Sequence, residues 1–214
     1  MKQDNKNSAT VTDTIRRRYN RMAYIFGWMD KIAPAAKPDP WRSRVMAGIR
    51  GPRALEVGVG TGKNLPYYPK DISMSAVDFS PKMLSGARLA AQRLELAVDF
   101  QEMDIQHLDF PDNLFDTVFA TFVFCSVPDP ILGLRELRRV CKPDGRLLLL
   151  EHMRPRHFAA GLLFDLFNPL TVRISGANIN RRTDENIRKA GWHIESEEHL
   201  LMDVVRRFQA VPAI

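Results

Sequence analysis

Short β-branched and apolar runs alternate with amphipathic stretches through the middle of the chain, at the spacing of strands and helices that follow one another in turn. The predicted strands cover residues 54–57, 74–78, 98–103, 117–121 and 146–151. The predicted helices cover about 81–94 and 131–140, and Lys142-Pro143-Asp144-Gly145 is read as the turn into the fifth strand. This order predicts an α/β fold, with helices on both faces of a mostly parallel sheet and right-handed crossovers.

Two segments follow the fifth predicted strand. Residues 153–182 are aromatic and basic, and they are too many for an ordinary connection, which indicates a functional segment. Thr183 is expected to cap a short helix that ends at Gly191. Residues 202–210 then alternate between apolar and polar side chains, as a closing strand does.

The segment before the sheet is predicted to be a helix over residues 14–33, which ends at a cluster of prolines because proline cannot continue a helix. One face of this helix is apolar, with Ile15, Tyr19, Met22, Phe26 and Met29. The adjoining face is basic and aromatic, with Arg17, Arg18, Arg21, Ile25 and Trp28. Such a face is suited to a headgroup layer, so residues 1–40 are predicted to be a membrane-contacting helix and linker, and residues 41–214 the main domain.

Composition narrows the class of protein. The chain has 214 residues, of which 45% are hydrophobic and 26% are charged, as in an ordinary globular domain. The polar N-terminus lacks the apolar core of a secretory signal, which favours the cytoplasm. The net charge of +6 favours anionic partners. Cys125 and Cys141 are isolated and form neither a disulfide framework nor a zinc site, so no metal is expected.

A glycine-rich turn follows the first predicted strand, in the motif E-V-G-V-G-T-G that starts at Glu56. Gly58, Gly60 and Gly62 would let the backbone approach a nucleotide-like ligand. A dinucleotide fingerprint would place its third glycine at position 63, but that residue is Lys63, so a nicotinamide cofactor is disfavoured.

Acidic side chains end the next two predicted strands. Asp78 can accept hydrogen bonds from both hydroxyls of a ribose, as acidic residues at this place do in nucleotide-binding folds. Asp104 can take the amino group of an adenine, and Ile105 can pack on the face of the ring. Together with the glycine-rich turn, these residues point to an adenosine-containing cofactor.

This combination, over about residues 54–151, resembles the class I methyltransferases that depend on S-adenosylmethionine (SAM). The resemblance implies a Rossmann-like sheet of seven strands whose last strand is antiparallel, with SAM across the strand ends and S-adenosylhomocysteine as the product. It also implies that Glu56 orders the loop near the methionine end of SAM. The other residues that it places at the cofactor are Phe79, Phe124, Cys125 and Ser126.

The segment after the fourth predicted strand indicates which kind of group accepts the methyl group. Methyltransferases of bases and amides carry Asp or Asn, then Pro-Pro and an aromatic residue there, but this chain has Cys125-Ser126-Val127-Pro128. Nucleic acid is therefore not expected as a partner, and no base-stacking motif is present in the sequence.

The run F-D-T-V-F-A-T-F-V-F-C-S-V-P-D-P resembles both quinone C-methyltransferases and the soluble bacterial phosphatidylethanolamine N-methyltransferases. The motifs E-H-M-R, from Glu151, and G-A-N-I-N-R-R-T, from Gly176, favour the phospholipid group. Arginine and amide donors suit a lipid phosphate, and the candidates are Arg154, Asn178, Asn180 and Arg181. His152 is expected to orient the acceptor or take its proton, and Tyr19 to meet the methylated nitrogen through its aromatic face.

Three hypotheses follow from the sequence. The first is N-methylation of phosphatidylethanolamine and its mono- and dimethyl derivatives by a monomer on the anionic inner face of the cell membrane. The second is C-methylation of a quinone precursor. The third is a SAM-binding module without catalysis, whose basic helix recruits a partner protein.

Overall fold

The computed structural model describes residues 39–175, 177–201 and 203–213. Within them, one sheet contains β1 Arg53–Val57, β2 Ser73–Asp78, β3 Val98–Glu102, β4 Phe115–Thr121, β5 Cys141–His152, β6 Trp192–Leu201 and β7 Val205–Pro212. The helices are α1 Pro40–Met46, α2 Pro81–Arg93, α3 Pro130–Val140, α4 Phe158–Ser175 and α5 Thr183–Lys189, with a 3-10 turn at Leu65–Tyr67. The predicted helix over residues 14–33 lies outside the described residues.

The strand order is β3-β2-β1-β4-β5-β7-β6. Strands β1 to β5 pair in parallel, and β7 runs antiparallel between β5 and β6. The predicted Rossmann-like sheet of seven mostly parallel strands is thus confirmed. The order reverses between β1 and β4, and in open α/β sheets the crevice outside the strand ends at such a point is where ligands bind.

The centre of the sheet is buried on both faces. The four leucines at positions 147–150 of β5 are fully buried. Leu147 and Leu149 pack into one apolar cluster, and Leu148 and Leu150 pack into another on the opposite face. This accounts for an apolar run without alternation, which is typical of a parallel strand covered by helices on both sides.

Helix starts are encoded locally. Ser80 and Asp129 accept hydrogen bonds from the first backbone N–H groups of α2 and α3, and a proline follows each of them. Asp39 and Pro40 begin α1 in the same way. Pro40 is one of the prolines after residue 33 that are predicted to end a helix, and in the structure it starts one.

Several elements after β4 differ from the prediction. The segment 142–145 is a bulge within β5, because the register with β4 jumps from Phe115↔Cys141 to Thr117↔Arg146. Arg182, rather than Thr183, is the N-cap of α5, and it makes no side-chain capping bond. Gly191 does follow this helix, with a positive φ of 85°.

Strand β6 was not predicted, and the predicted closing strand at 202–210 is β7 at Val205–Pro212. Among the strands that the structure describes, β6 lies at the edge of the sheet and pairs with β7 alone. Its burial pattern is mostly exposed or intermediate, and Glu197 and Glu198 pair with Arg206 and Arg207 of β7. An edge strand held by charge pairs lacks the apolar alternation from which strands are recognised.

Candidate active site

A cavity of about 330 Å³ opens where the strand order reverses, at the carboxyl ends of β1, β2 and β4. Eight of the predicted site residues line it: Gly58, Gly60, Asp78, Phe79, Asp104, Ile105, Ser126 and His152. The lining also includes residues that were not predicted, among them Arg42, Lys63, Met83, Met103, Thr121 and Phe122.

The glycine-rich turn bends around the end of β2. The backbone N–H groups of Gly58 and Val59 both donate to the carbonyl of Val77. Gly58 has a φ of 66°, and a Cβ there would lie 2.5 Å from Val123 Cγ2. Gly60 has a φ of 57°, but a Cβ there would meet nothing within 4 Å, so this glycine borders open space at the cavity wall.

Gly62 has a different place from the other two glycines. A Cβ there would lie 2.5 Å from Leu65 Cδ1, and the residue does not line the cavity. Its φ of 88° is one that side chains rarely adopt. Gly62 therefore serves the packing of the turn, whereas the sequence placed it at the cofactor.

Asp78 fixes this turn from the end of β2. Its Oδ2 accepts from Gly60 N at 2.9 Å, and its Oδ1 accepts from Ser80 N at 2.9 Å. Burial raises the pKa of Asp78 to about 6, although these two hydrogen bonds oppose the rise. Each carboxylate oxygen has more than one acceptor position, so the two oxygens can still accept from a vicinal diol.

The next strand end carries Asp104, whose carboxylate accepts from the backbone and side-chain amides of Gln106. Gln106 in turn accepts from Asp129 N through its Oε1. Ile105 is nearly buried and lines the cavity beside Asp104. A polar edge next to an apolar face fits the predicted adenine site.

Glu56 does not line the cavity. It is buried, and its carboxyl group accepts from Asn64 Nδ2 at 2.6 Å and from the hydroxyl of Tyr68. Asn64 also accepts from Arg42 Nη1 at 2.7 Å, and Arg42 reaches the cavity. Glu56 therefore acts on the site through Asn64 and Arg42, without reaching the cavity itself. Burial raises its pKa to about 7, against the hydrogen bonds from Tyr68 and Asn64.

The loop after β4 turns differently from the prediction. Glu151 Oε1 accepts from Val123 N at 2.8 Å and from Phe124 N at 3.0 Å, which pulls the loop toward β5. Phe124 consequently points into the core beside Gly133, and neither it nor Cys125 lines the cavity. The cavity wall is formed instead by Phe122, Val123 and residues 126–128.

An aromatic and basic stack lies at one end of the cavity. The rings of Phe122 and His152 have centroids 4.4 Å apart, and the Arg42 guanidinium lies 5.4 Å from the Phe122 centroid. Arg42 is held by Asp39 at 3.0 Å and by Thr121 Oγ1 at 2.8 Å. Partial loss of solvent lowers the pKa of His152 below its usual value, which favours the neutral imidazole, although part of the side chain remains exposed.

The four predicted phosphate donors are engaged with other parts of the protein. The guanidinium of Arg154 contacts both carboxylate oxygens of Asp165, and Asn180 Nδ2 donates to Asp165 Oδ1 at 3.1 Å. Asn178 donates to the Cys125 carbonyl, and Arg181 Nη2 donates to the Val127 carbonyl at 2.8 Å.

None of these four donors lines the cavity. Their contacts attach residues 178–181 to the loop after β4 and connect β5 to α4. The phosphate role of Arg154, Asn178, Asn180 and Arg181 stays a prediction, while the structure gives each of them a supporting contact. Tyr19 lies outside the described residues.

Comparison with known proteins agrees with this geometry. Residues 55–149 match the family model described as a methyltransferase domain. The chain is 37% identical over 142 residues to a phosphatidylethanolamine N-methyltransferase of Cereibacter sphaeroides, covering 65% of this chain and 68% of that one. The chain belongs to the class I SAM-dependent methyltransferases.

Other similar proteins are named as quinone methyltransferases and not as phospholipid methyltransferases. A demethylmenaquinone methyltransferase of Staphylococcus aureus is 31% identical over 180 residues, covering 81% of this chain and 74% of that protein. Among solved structures, a SAM-dependent methyltransferase from Aquifex aeolicus has a TM-score of 0.68 at 20% identity, covering 89% of this chain and 98% of that one. This last likeness concerns the fold alone.

SAM is therefore the cofactor of this methyltransferase, and the cavity has the groups that it requires. The backbone at Gly58 and Gly60 admits close approach, Asp78 offers carboxylate oxygens, and Asp104 with Ile105 forms a polar and apolar pair. Arg42 and Phe122 were missed from the sequence, because Arg42 lies before the first strand and Phe122 differs in no visible way from the neighbouring aromatic residues. Only their three-dimensional arrangement with His152 identifies them as residues of the site.

Substitutions at Gly58 and Gly60 distinguish an effect on protein stability from an effect on cofactor binding. Gly60→Ala is expected to lower the melting temperature by only a few degrees, since the left-handed backbone costs an alanine about 1–2 kcal/mol and the Cβ meets no atom. It should weaken SAM binding by about tenfold or more, because the added methyl group borders the cavity. Gly58→Ala should lower both stability and affinity, because its Cβ overlaps Val123.

Thermal melts and calorimetry on the same samples would decide between these roles. A Gly60→Ala variant with the parent's affinity for SAM would show that the cofactor does not approach this turn.

Proposed function

We propose that the protein transfers methyl groups from SAM to the amino nitrogen of phosphatidylethanolamine and of its mono- and dimethyl derivatives, toward phosphatidylcholine. The observation that carries this proposal is the 37% identity to the Cereibacter sphaeroides phosphatidylethanolamine N-methyltransferase. That alignment covers about two thirds of each chain.

The acceptor end of the cavity is assigned to Phe122, His152 and Arg42. An alkylammonium has a pKa of about 10, like lysine, so it must lose its proton before its lone pair can attack. His152 lines the cavity, and an imidazole nitrogen there can accept a hydrogen bond from the ammonium and take its proton. Partial burial lowers the pKa of His152, which favours the neutral form of the ring but makes it a weaker base. The ring of Phe122 offers an aromatic face to the positive charge that grows on the nitrogen. Bound SAM supplies an electrophilic methyl group on a sulfonium.

The remaining assignments extend this proposal to residues 1–38, which the structure does not describe. Tyr19 would add a second aromatic face near the methylated nitrogen. The basic face with Arg17, Arg18 and Arg21 would hold the protein, as a monomer without nucleic acid, on an anionic membrane surface inside the cell.

A quinone precursor is the second candidate acceptor. Several of the similar proteins are demethylmenaquinone or ubiquinone/menaquinone methyltransferases, at 26–38% identity. The rings of Phe122 and His152, which are tilted by 31° to each other, also offer aromatic surface to a planar ring. In that reaction the attacking atom would be a ring carbon, and His152 would take the proton that leaves it.

A methyl-transfer assay with labelled SAM distinguishes the two acceptors. We expect label in the lipid fraction with vesicles that contain ethanolamine lipid, and none with vesicles that contain only choline lipid and a demethylated quinone. The reverse pattern would replace the proposal by quinone C-methylation.

A control variant shows that the label comes from this active site. Asp78→Ala should lose methyl transfer to either acceptor, because its cofactor site is impaired. Transfer that survives in this variant would point to a contaminating enzyme.

A further inference from the structure

Helix α4, Phe158–Ser175, has an unusual exterior. Its large apolar side chains are turned to solvent: Phe158 is 79% exposed, Leu162 57%, Leu163 55%, Leu166 70%, Phe167 52% and Leu170 55%. At 100° per residue these six positions occupy one half of the helix circumference. We call them the apolar face of α4. Contiguous apolar surface of this kind marks a binding or membrane-contacting region.

Two polar side chains of α4, Asp165 and Asn168, face the protein. Asp165 accepts from Arg154 and Asn180, and Asn168 accepts from the backbone N–H of Ile179 at 2.9 Å. The usual arrangement of a surface helix is the reverse, with its apolar stripe toward the core and its polar residues in water. This inversion leaves the apolar face of α4 exposed in the described part of the chain, as is expected of a helix whose packing partner lies outside it.

Charge and length indicate what that partner is. Between positions 153 and 182 there are five arginines and one carboxylate. Arg154, Arg156 and Arg182 form ion pairs with Asp165, Glu197 and Glu185, but the net charge of +6 over the whole chain still favours an anionic surface. Arg156 and His157 are exposed just before α4, and Arg173 is in its last turn. Among the described residues, no helix is long and apolar enough to cross a bilayer. Apolar side chains on one face with flanking arginines are the pattern of a helix that lies in the interface plane.

We propose that α4 lies in the headgroup layer of an anionic bilayer, with its apolar face toward the acyl chains. The helix is fixed to the active site, since Asn178 donates to the Cys125 carbonyl and Arg181 to the Val127 carbonyl, and Val127 lines the cavity. Insertion of α4 therefore brings the cavity to the bilayer surface. The inference rests on the proposed function, which explains why the enzyme needs a bilayer. It adds a second membrane contact to the one that is predicted for residues 1–40.

A fluorescent probe tests the contact without disrupting it. Leu163→Cys in the full chain is labelled with a polarity-sensitive dye, and the control is Leu89→Cys on α2, because both leucines are 55% exposed. The native Cys125 and Cys141 are buried, so the new thiol is the accessible one among the described residues. Vesicles of phosphatidylglycerol and phosphatidylcholine should shift the emission of the dye to the blue at position 163 and leave it unchanged at position 89.

A binding measurement gives the size of the effect. The variant Leu163→Glu with Leu166→Glu should bind these vesicles roughly tenfold less or weaker still, because two leucines no longer enter the interface. Leu89→Glu should sediment with vesicles as the parent does. The loss should persist at high salt, whereas any loss from Arg17→Ala with Arg18→Ala and Arg21→Ala should shrink, since salt screens charge.

Three results would overturn the proposal. The first is an emission at position 163 that vesicles leave unchanged. The second is a blue shift without vesicles that grows with protein concentration. The third is a blue shift without vesicles that is the same at every protein concentration. The second result identifies a second copy of the chain as the partner, and the third identifies residues 1–38. The vesicles contain no ethanolamine lipid, so membrane contact is measured separately from methyl transfer. An enzyme that inserts α4 but methylates only quinones would refute the proposed function alone.

Discussion

Replacing Asp78 by alanine is expected to weaken SAM binding by roughly a hundredfold or more. Hydrogen bonds to a charged group contribute about 1.5–3 kcal/mol each, and a carboxylate that accepts from both ribose hydroxyls makes two of them. The same carboxylate holds Gly60 N and Ser80 N, so the variant also loosens the turn that approaches the cofactor. Isothermal titration calorimetry above pH 7, where Asp78 is ionised, measures the loss.

Asp99→Ala is a matched control for this prediction. Asp99 lies on the neighbouring strand β3, is exposed, and accepts from Gln101 on its own strand. Its removal should leave the affinity for SAM unchanged. A folded Asp78→Ala protein with the parent's affinity would refute the placement of the ribose at β2.

The parts of the fold that could be predicted are those in which local sequence and tertiary packing agree. The leucines at 147–150 identify a central strand because both faces of that strand are covered. The glycines after β1 and the acid after β2 predict a nucleotide-like site, because parallel strands bring their carboxyl ends to one edge of the sheet. Spacing was sufficient to locate this half of the site, but not to separate Gly58 and Gly60, which line the cavity, from Gly62, which does not.

The acceptor half could not be predicted in the same way, because its contacts join residues far apart in the sequence. Arg42 reaches Thr121 and Phe122 from a helix before the first strand. The direction of Phe124 depends on Glu151, one strand further along the chain. A motif shows which residues are near each other in sequence, but it does not show which side chains of a loop turn inward.

Helix α4 was missed for a related reason. A surface helix is usually recognised by an apolar face toward the core, and α4 has the inverse arrangement, with Pro169 inside it. The arginine and asparagine residues around it were interpreted as ligands for a phosphate. In the structure Arg154 and Asn180 bind Asp165, so their first effect is to hold α4 in place.

The folded protein should become less stable as the pH rises from about 5 to about 8, on account of three buried carboxyl groups. Burial raises the pKa of Asp78 to about 6, so the stabilisation from that group is lost first. Burial raises the pKa of Glu56 and of Glu151 to about 7. Between the unfolded value near 4.5 and about 7, the folded chain keeps a proton that the unfolded chain has released. Stability from each group is therefore present at the low end of this window and is lost as the pH rises through 7. The shift corresponds to about 3 kcal/mol for each carboxyl group.

The variant Glu56→Gln isolates this effect from the other titrating groups. The amide does not ionise, so the unfolding free energy of the variant relative to the parent should rise by up to about 3 kcal/mol between pH 5 and pH 8. Urea unfolding at several pH values measures the difference. Glu195→Gln, at an exposed glutamate on β6, should give a curve parallel to that of the parent.

The outcome also decides how Glu56 acts on the active site. If the curves of Glu56→Gln and the parent are parallel, Glu56 is already ionised at pH 5, and Asn64 links a carboxylate to the Arg42 guanidinium at the cavity. If they diverge as expected, the neutral acid is the stable form in the free enzyme near pH 5. At low pH Arg42 is then held by Asp39, Asn64 and Thr121, and Glu56 contributes no second negative charge.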